Sequence, residues 1–221
     1  MDYIKQVHRL YWKDWRFASS LVYGLIILII GITASYFAII YATESSSSSV
    51  TDIILSNIPV FDVDMIFIYG PVIFFVIVGV YAFLYEPYRV PFGFKSIGIF
   101  LLIRSVFISL THIGPFPTHI HIVSTSIFAV FTTGNDLFFS SHTGLPFLVA
   151  LVFWDNKIIR YFSILSSIFF GIIVLMAHLH YSIDVFAAFF ITYSIFVICQ
   201  KIYKEDHHVS VNGIQDLKTA E

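Results

Sequence analysis

Apolar residues fill six long runs of this chain, at 17–41, 65–85, 96–113, 137–153, 158–176 and 181–202, and polar or proline-containing stretches separate them. Each run is nearly uninterrupted and long enough to cross a bilayer as a helix. The first run is too long for the core of a cleaved leader, so it reads as a spanning helix. The pattern predicts an all-α polytopic membrane protein with six transmembrane helices.

The breaks are equally patterned. Pro87 and Pro91 interrupt the second connection, and Gly-Pro-Phe-Pro at 114–117 ends the third helix. The serine run 45–49 reads as a low-complexity, flexible loop. Ile4, Val7, Tyr11 and Trp15 recur at helical spacing with Lys5, Arg9, Lys13 and Arg16 elsewhere on the wheel. This suits either a short helix in the headgroup layer or a solvated basic terminus. The expected organisation is an interfacial segment 1–16, a transmembrane catalytic domain 17–202 and a disordered polar tail 203–221. His207 and His208 in the tail are given no role.

Composition supports the membrane reading: 58% of residues are hydrophobic and 12% charged, too apolar for a soluble domain of this length. The single cysteine, Cys199, excludes an intrachain disulfide. Nothing in the pattern suggests nucleic-acid binding. Of the 12 Lys and Arg, all but Arg104 fall in the N-terminal segment, the second and fourth connections and the C-terminal tail. With six spans these segments share one side, which the positive-inside rule makes cytoplasmic, together with both termini. The same count puts Asp62, Asp64, Asp136, His142, His178 and His180 at the extracytoplasmic face.

His180 and Asp184 are four apart and so lie on one face of a helix. A carboxylate there can accept the imidazole Nδ1 proton and leave Nε2 free to attack or accept. His142 lies at the outer end of the fourth span, among Ser140, Ser141 and Thr143. These residues suit a helix N-terminus, where free N–H groups seat a phosphoryl oxygen. Arg104 lies about 13–14 Å beyond Lys95 on a helix. A buried arginine there needs a partner: a phosphate, or an ion pair with Asp136 or Asp184. Two histidines and an anion pocket fit phosphoryl transfer through a phosphohistidine, with His180 as nucleophile, Asp184 behind it and His142 as acid/base. Asp136, His178 and Tyr181 complete the candidate substrate-binding set with Arg104, Ser140, Ser141 and Thr143. His119 and His121 read as solvent-facing; Asp62 and Asp64 read as loop carboxylates with a possible part in binding an ammonium group.

The segment Ala-His-Leu-His-Tyr-Ser-Ile-Asp-Val at 177–185 resembles the Ala-His-Asp-His-Tyr-Thr-Val-Asp-Val element of sphingomyelin synthases, within the wider superfamily of type 2 phosphatidic-acid phosphatases. Residues 136–143 are similar to that family's Asp-Tyr-Leu-Tyr-Ser-Gly-His-Thr, Arg104 to Thr111 resembles its Arg-x6-Thr segment, and Ile-Pro-Val-Phe-Asp at 58–62 with Asp64 is similar to its Leu-Pro-Asp motif. The resemblance implies a catalytic triad of His142, His180 and Asp184 facing away from the cytosol. It also implies transfer of phosphocholine or phosphoethanolamine from a glycerophospholipid to ceramide, with no cofactor and no metal. Ser141, Leu179 and Asn135 depart from the motif, where Gly, Asp and Gly are expected; these changes bear on headgroup and acceptor choice. The phosphatase-type Lys-x6-Arg-Pro motif is missing, and position 174, six before the nucleophile, is Val rather than Arg. Both points favour the synthase-like branch. The competing classes are a phosphatase or phosphodiesterase with water as acceptor, a metal or haem protein using the histidines, and an anion transporter. The metal reading lacks a His-Glu-x-x-His type box, and the transporter reading lacks a paired half-repeat.

Overall fold

The protein, described from a computed structural model over residues 8–120 and 136–213, is built of helices, with no strand among the described residues. Residues 8–12 are helical, and seven helices follow: α1 Trp15–Glu44, α2 Asp64–Tyr85, α3 Val90–Leu110, α4 Ser141–Val152, α5 Lys157–Met176, α6 Ser182–Ile202 and α7 Lys204–Asn212. Single 3₁₀ turns at Leu55–Asn57 and Pro87–Arg89 precede α2 and α3.

Five of these helices are long and apolar enough to cross a membrane: α1, α2, α3 with its leading turn, α5 and α6. The fourth predicted span is the exception. Instead of 137–153, α4 has 12 residues, about 18 Å against a hydrocarbon core of about 30 Å. None of its residues is exposed, because it packs against α3, α5 and α6 at the centre of the bundle. Shielded by its neighbours, α4 has no need to cross the hydrocarbon unaided, and its lost first turn serves Arg104, as described below.

α1 lies along α3 at very short range. A Cβ on Gly31 would stand 2.6 Å from the Gly98 carbonyl oxygen, so the crossing requires glycine at both positions. Lipid tails give helices no hydrophobic reason to associate, and close backbone approach supplies dispersion contact instead. α2 packs on α5, and a core of Phe74, Phe92, Phe100, Leu148, Phe170 and Ile195 fills the space between the helices.

Two boundaries differ from the sequence expectation at the basic end of the bundle. α3 begins at Val90 rather than 96, which puts Lys95 inside the helix and buries it. The tail expected to be disordered forms α7 over 204–212, residues 214–221 lying outside the described part. α3 can start at Val90 because Pro91 sits in its first turn, where a missing N–H costs nothing, and the tail folds in response to the lysine this buries. Asp206 in the first turn of α7 pairs with Lys95, the ammonium also donates to Ser20 Oγ at 2.9 Å, and the rings of Tyr23 and Tyr203 lie 5.2 and 5.3 Å from it. A buried ammonium requires a counterion, so the tail folds onto α3. His207 packs edge-on against Phe92 and Phe196 beside it. Arg89 is also buried, paired with Glu86 and donating to the Val152 carbonyl at 2.9 Å.

Removing one partner of the Lys95–Asp206 pair strands the other charge. Asp206→Ala is expected to lower stability by about 3 kcal/mol, and Lys95→Met combined with Asp206→Ala to recover most of it. Thermal unfolding in detergent micelles of the two variants and the unchanged chain checks both values.

Candidate functional site

The end of the bundle opposite Lys95 gathers the C-terminal ends of α1, α3 and α5 with the starts of α2, α4 and α6. Arg104 organises it. Its Cα lies six residues before the end of α3, and its side chain is buried. Nη2 donates to the Asp136 carboxylate at 2.7 Å and the Asp136 carbonyl at 2.8 Å, and Nε donates to the Phe139 carbonyl at 3.1 Å. One guanidinium therefore draws the segment 136–139 around itself. That segment cannot be helical while its carbonyls point at Arg104, so α4 starts late, and Phe138 and Phe139 take positive φ angles of 102° and 25°. Such conformations cost of order 1–3 kcal/mol each unless their surroundings hold them. Of the partners expected for Arg104, a phosphate, Asp136 or Asp184, the pair with Asp136 is formed. Burial pushes the Asp136 carboxyl up, but the Arg104 charge, with His180 behind it, outweighs burial and holds it below the usual carboxylate range.

Ser140 is the N-cap residue of α4, yet its hydroxyl makes no capping bond. The first turn leaves the N–H groups of Ser141, His142 and Thr143 without intrahelical partners. Pro146, lacking an N–H, also leaves the His142 carbonyl without its helical donor. The hydroxyls of Ser140 and Thr143 and the Nδ1 of His142 are buried and unpartnered. The His142 ring is half-buried and stacks on Phe67 of α2, centroids 4.2 Å apart.

His180 lies just before α6 rather than on the helix with Asp184 as the spacing suggested. Its Nδ1 is nonetheless 3.2 Å from Oδ2 of Asp184 in the first turn, an oxygen that also accepts the Tyr181 N–H at 3.0 Å. The carboxylate thus caps its own helix and orients the imidazole before it. His180 and Asp184 are both buried, and Asp184 Oδ1 is unpartnered. A backbone bond from the Ser140 N–H to the Asp184 carbonyl, 3.0 Å, fastens the start of α4 to the first turn of α6. His142, His180, Asp136 and Arg104 are close enough to act on one another electrostatically.

Two expected binding residues have other duties. The Tyr181 hydroxyl donates to the Gly114 carbonyl at 2.8 Å and accepts the Val50 N–H at 3.1 Å, clamping two loops together. His178 sits at the end of α5 with φ 55°; its N–H bonds the Leu175 carbonyl, and the Leu179 N–H bonds the Val174 carbonyl. That pair of bonds is a Schellman stop, with histidine at the position usually given to glycine. The His178 Nδ1 is 2.6 Å from Thr118 Oγ1, while its buried Nε2 is unpartnered. His119 Nδ1 approaches the Phe116 carbonyl at 2.7 Å, and His121 lies outside the described residues. The Asp62 carboxylate accepts the Asp64 N–H at 3.2 Å at the entry to α2. Among the described residues no three His, Cys, Asp or Glu side chains form a group that could hold a metal ion.

The serine loop is not the loose connection its composition suggests. Ser47 N–H bonds the His112 carbonyl and Gly114 N–H bonds the Ser48 carbonyl, and a Cβ on Gly114 would stand 2.1 Å from the Ser47 carbonyl oxygen. Small side chains on one segment and glycine on the other permit that approach. Asp52, unremarked in the sequence, completes the anchoring. One carboxylate oxygen accepts the N–H and hydroxyl of Ser182 at 2.7 and 2.8 Å, and the other accepts the N–H groups of Ile54 and Leu55. An Asp three residues before a short helical turn was the available signal for the local half of this bonding; the half that reaches Ser182 had none.

Residues 133–201 match the family model for the PAP2 superfamily C-terminal domain, a stretch that holds His142, His180 and Asp184. The match supports the type 2 phosphatidic-acid phosphatase superfamily, and with it phosphatase- or phosphotransferase-type chemistry on lipids. Comparisons with curated proteins and with solved structures give no match.

Asp52 provides a pH test of the anchoring. Burial pushes its carboxyl up, but the N–H groups of Leu55 and Ser182, the Ser182 hydroxyl and the Ile54 N–H together hold it below its ordinary value. A lowered folded pKa stabilises the fold above the unfolded value of about 3.9, and the contribution is lost as pH falls through the folded value. Asp52→Asn is therefore expected to cost about 1–2 kcal/mol at pH 7. The gap from the unchanged chain should close on acidification below the usual carboxylate range, as read from unfolding midpoints across pH.

Proposed function

We propose that this protein is a membrane lipid phosphotransferase that moves a phosphocholine or phosphoethanolamine headgroup from a glycerophospholipid to a lipid alcohol such as ceramide. The observation that carries the reading is the fastening of α4 to α6 through Ser140 and Asp184, which brings His142 to the same end of the bundle as the His180–Asp184 pair. The family match supports the chemical class, and the sequence elements at 136–143 and 177–185 support the synthase-like branch.

In the proposed reaction Asp184 holds the Nδ1 proton of His180, so the Nε2 lone pair attacks phosphorus. The bond from phosphorus to the glycerol oxygen breaks, and His142, which takes up a proton when the negative phosphate binds beside it, gives that proton to the glycerol oxygen, releasing diacylglycerol. The headgroup phosphoryl is then bound to His180 nitrogen. His142, now neutral, takes the proton of the acceptor hydroxyl; the acceptor oxygen attacks phosphorus, and the phosphorus–nitrogen bond breaks. The open N-terminal N–H groups of α4, with Ser140, Ser141 and Thr143, are suited to the charge on the non-bridging oxygens. Arg104 acts by shaping the 136–139 segment with Asp136, which leaves the start of α4 open to the phosphate. The positive-inside distribution of Lys and Arg supports an extracytoplasmic position for this centre.

Protein in proteoliposomes, given headgroup-labelled phosphatidylcholine or phosphatidylethanolamine with and without ceramide, is expected to make a ceramide-dependent labelled lipid. Free phosphocholine or inorganic phosphate made equally well without ceramide would instead assign a hydrolase. His180→Ala, His142→Ala and Asp184→Ala are each expected to lower turnover by about 10²–10⁴-fold while leaving the protein folded. Acid-labile label should remain on the unchanged chain and be lost from His180→Ala; normal turnover in any of the three variants would remove the mechanism.

A further inference from the structure

Between α1 and α2, floored by α3 and α4, lies a cavity of about 480 Å³, within the range of small-molecule sites. Phe75, Gly79, Phe94, Ile97, Leu145 and Val149 line it, and its one charged neighbour, Arg89, is already engaged by Glu86 and the Val152 carbonyl. Ile32, Gly79 and Phe83 on its rim are exposed, so it opens sideways through faces that an apolar helix bundle turns to lipid. A Cβ added to Gly79 would meet nothing within 4 Å.

The cavity begins one turn below the candidate reaction centre. Leu145 is three residues along α4 from His142, and Leu101 is three residues along α3 from Arg104. It continues to Val152, ten residues or about 15 Å beyond His142. A lining of this kind offers nothing to a polar ligand. Its volume is too small to admit a second helix, which measures about 10 Å across with side chains. A single flexible hydrocarbon chain fits both limits. We infer that the cavity holds one acyl chain of the lipid whose phosphate lies at the His142–His180 centre, so that chain length selects the donor. This rests on the proposed function for the identity of the lipid, but not for the occupancy of the cavity.

Two readouts separate those parts. In nanodiscs, a phospholipid carrying a diazirine near the end of a palmitoyl chain is expected to label Phe94, Ile97 or Val149 in both the unchanged chain and the inactive His180→Ala variant. Gly79→Trp, whose ring fills the cavity, is expected to abolish that labelling, while Val76→Trp on the outward face of α2 leaves it intact. With palmitoyl donors Gly79→Trp should raise KM by about tenfold or more, and with hexanoyl donors it should leave KM unchanged. Labelling confined to outward faces such as Ile73 and Val80, labelling undiminished in Gly79→Trp, or equal loss with both donors would overturn the inference. Labelling of the cavity in a chain that makes no lipid product would support the cavity and remove the catalytic reading. Turnover with labelling only on outward faces would do the reverse.

Discussion

A guanidinium buried in an apolar bundle must be surrounded by acceptors, and the way Arg104 meets that requirement shapes everything near it. Carboxylate and carbonyl of Asp136 and carbonyl of Phe139 are drawn in together. Drawing in those carbonyls holds the chain out of helix, sets two phenylalanines at positive φ, and makes α4 begin at Ser141. His142 is consequently the second residue of a helix rather than a residue in its middle. It sits where N–H groups are open and the helix dipole is positive. Without that arginine the apolar run 137–153 has no reason to delay its first turn, and the imidazole would sit against backbone already bonded.

The far side of the site is held by a different means. Asp184 accepts from its own helix start and from the preceding histidine, and the α4–α6 backbone bond runs through its carbonyl. Asp52 and the Tyr181 hydroxyl then fasten the loops after α1 and α3 to the start of α6. Each of these groups is polar, buried and multiply bonded, which in a low-dielectric setting fixes position more firmly than apolar packing does. Three non-glycine residues in left-handed conformations, Phe138, Phe139 and His178, lie within this same region. Strain concentrated beside a candidate site is what a pre-set geometry requires.

What the sequence announces here is whatever depends on side-chain type at fixed spacing. Long apolar runs mark the five long helices, and the His180–Asp184 contact forms, although His180 lies just before α6 rather than on its face. The Arg104 pair with Asp136 was one of two options that charge alone allowed. Backbone acceptors leave no trace in residue identity, so the carbonyl cradle that shortens α4 was invisible, and with it the true start of the helix. The serine run misleads for a related reason: low complexity signals flexibility only when nothing nearby can use small side chains, and Gly114 does. Tyr181 and His178 read as binding residues beside His180. In the fold Tyr181 also clamps two loops, through partners 67 and 131 residues away, and His178 also stops α5, through bonds within its own turn.

The Lys95 ammonium finds its counterion 111 residues downstream, which sets an order on biosynthesis. α3 leaves the ribosome carrying a cation that its own surroundings cannot neutralise, and Asp206 does not yet exist. The first three helices can therefore enter the bilayer only with that ammonium reaching for the headgroup layer, its stem still pliable. Final seating of α3 against α1 waits until α7 has been made, so a helix formed later in synthesis locks an earlier crossing in place.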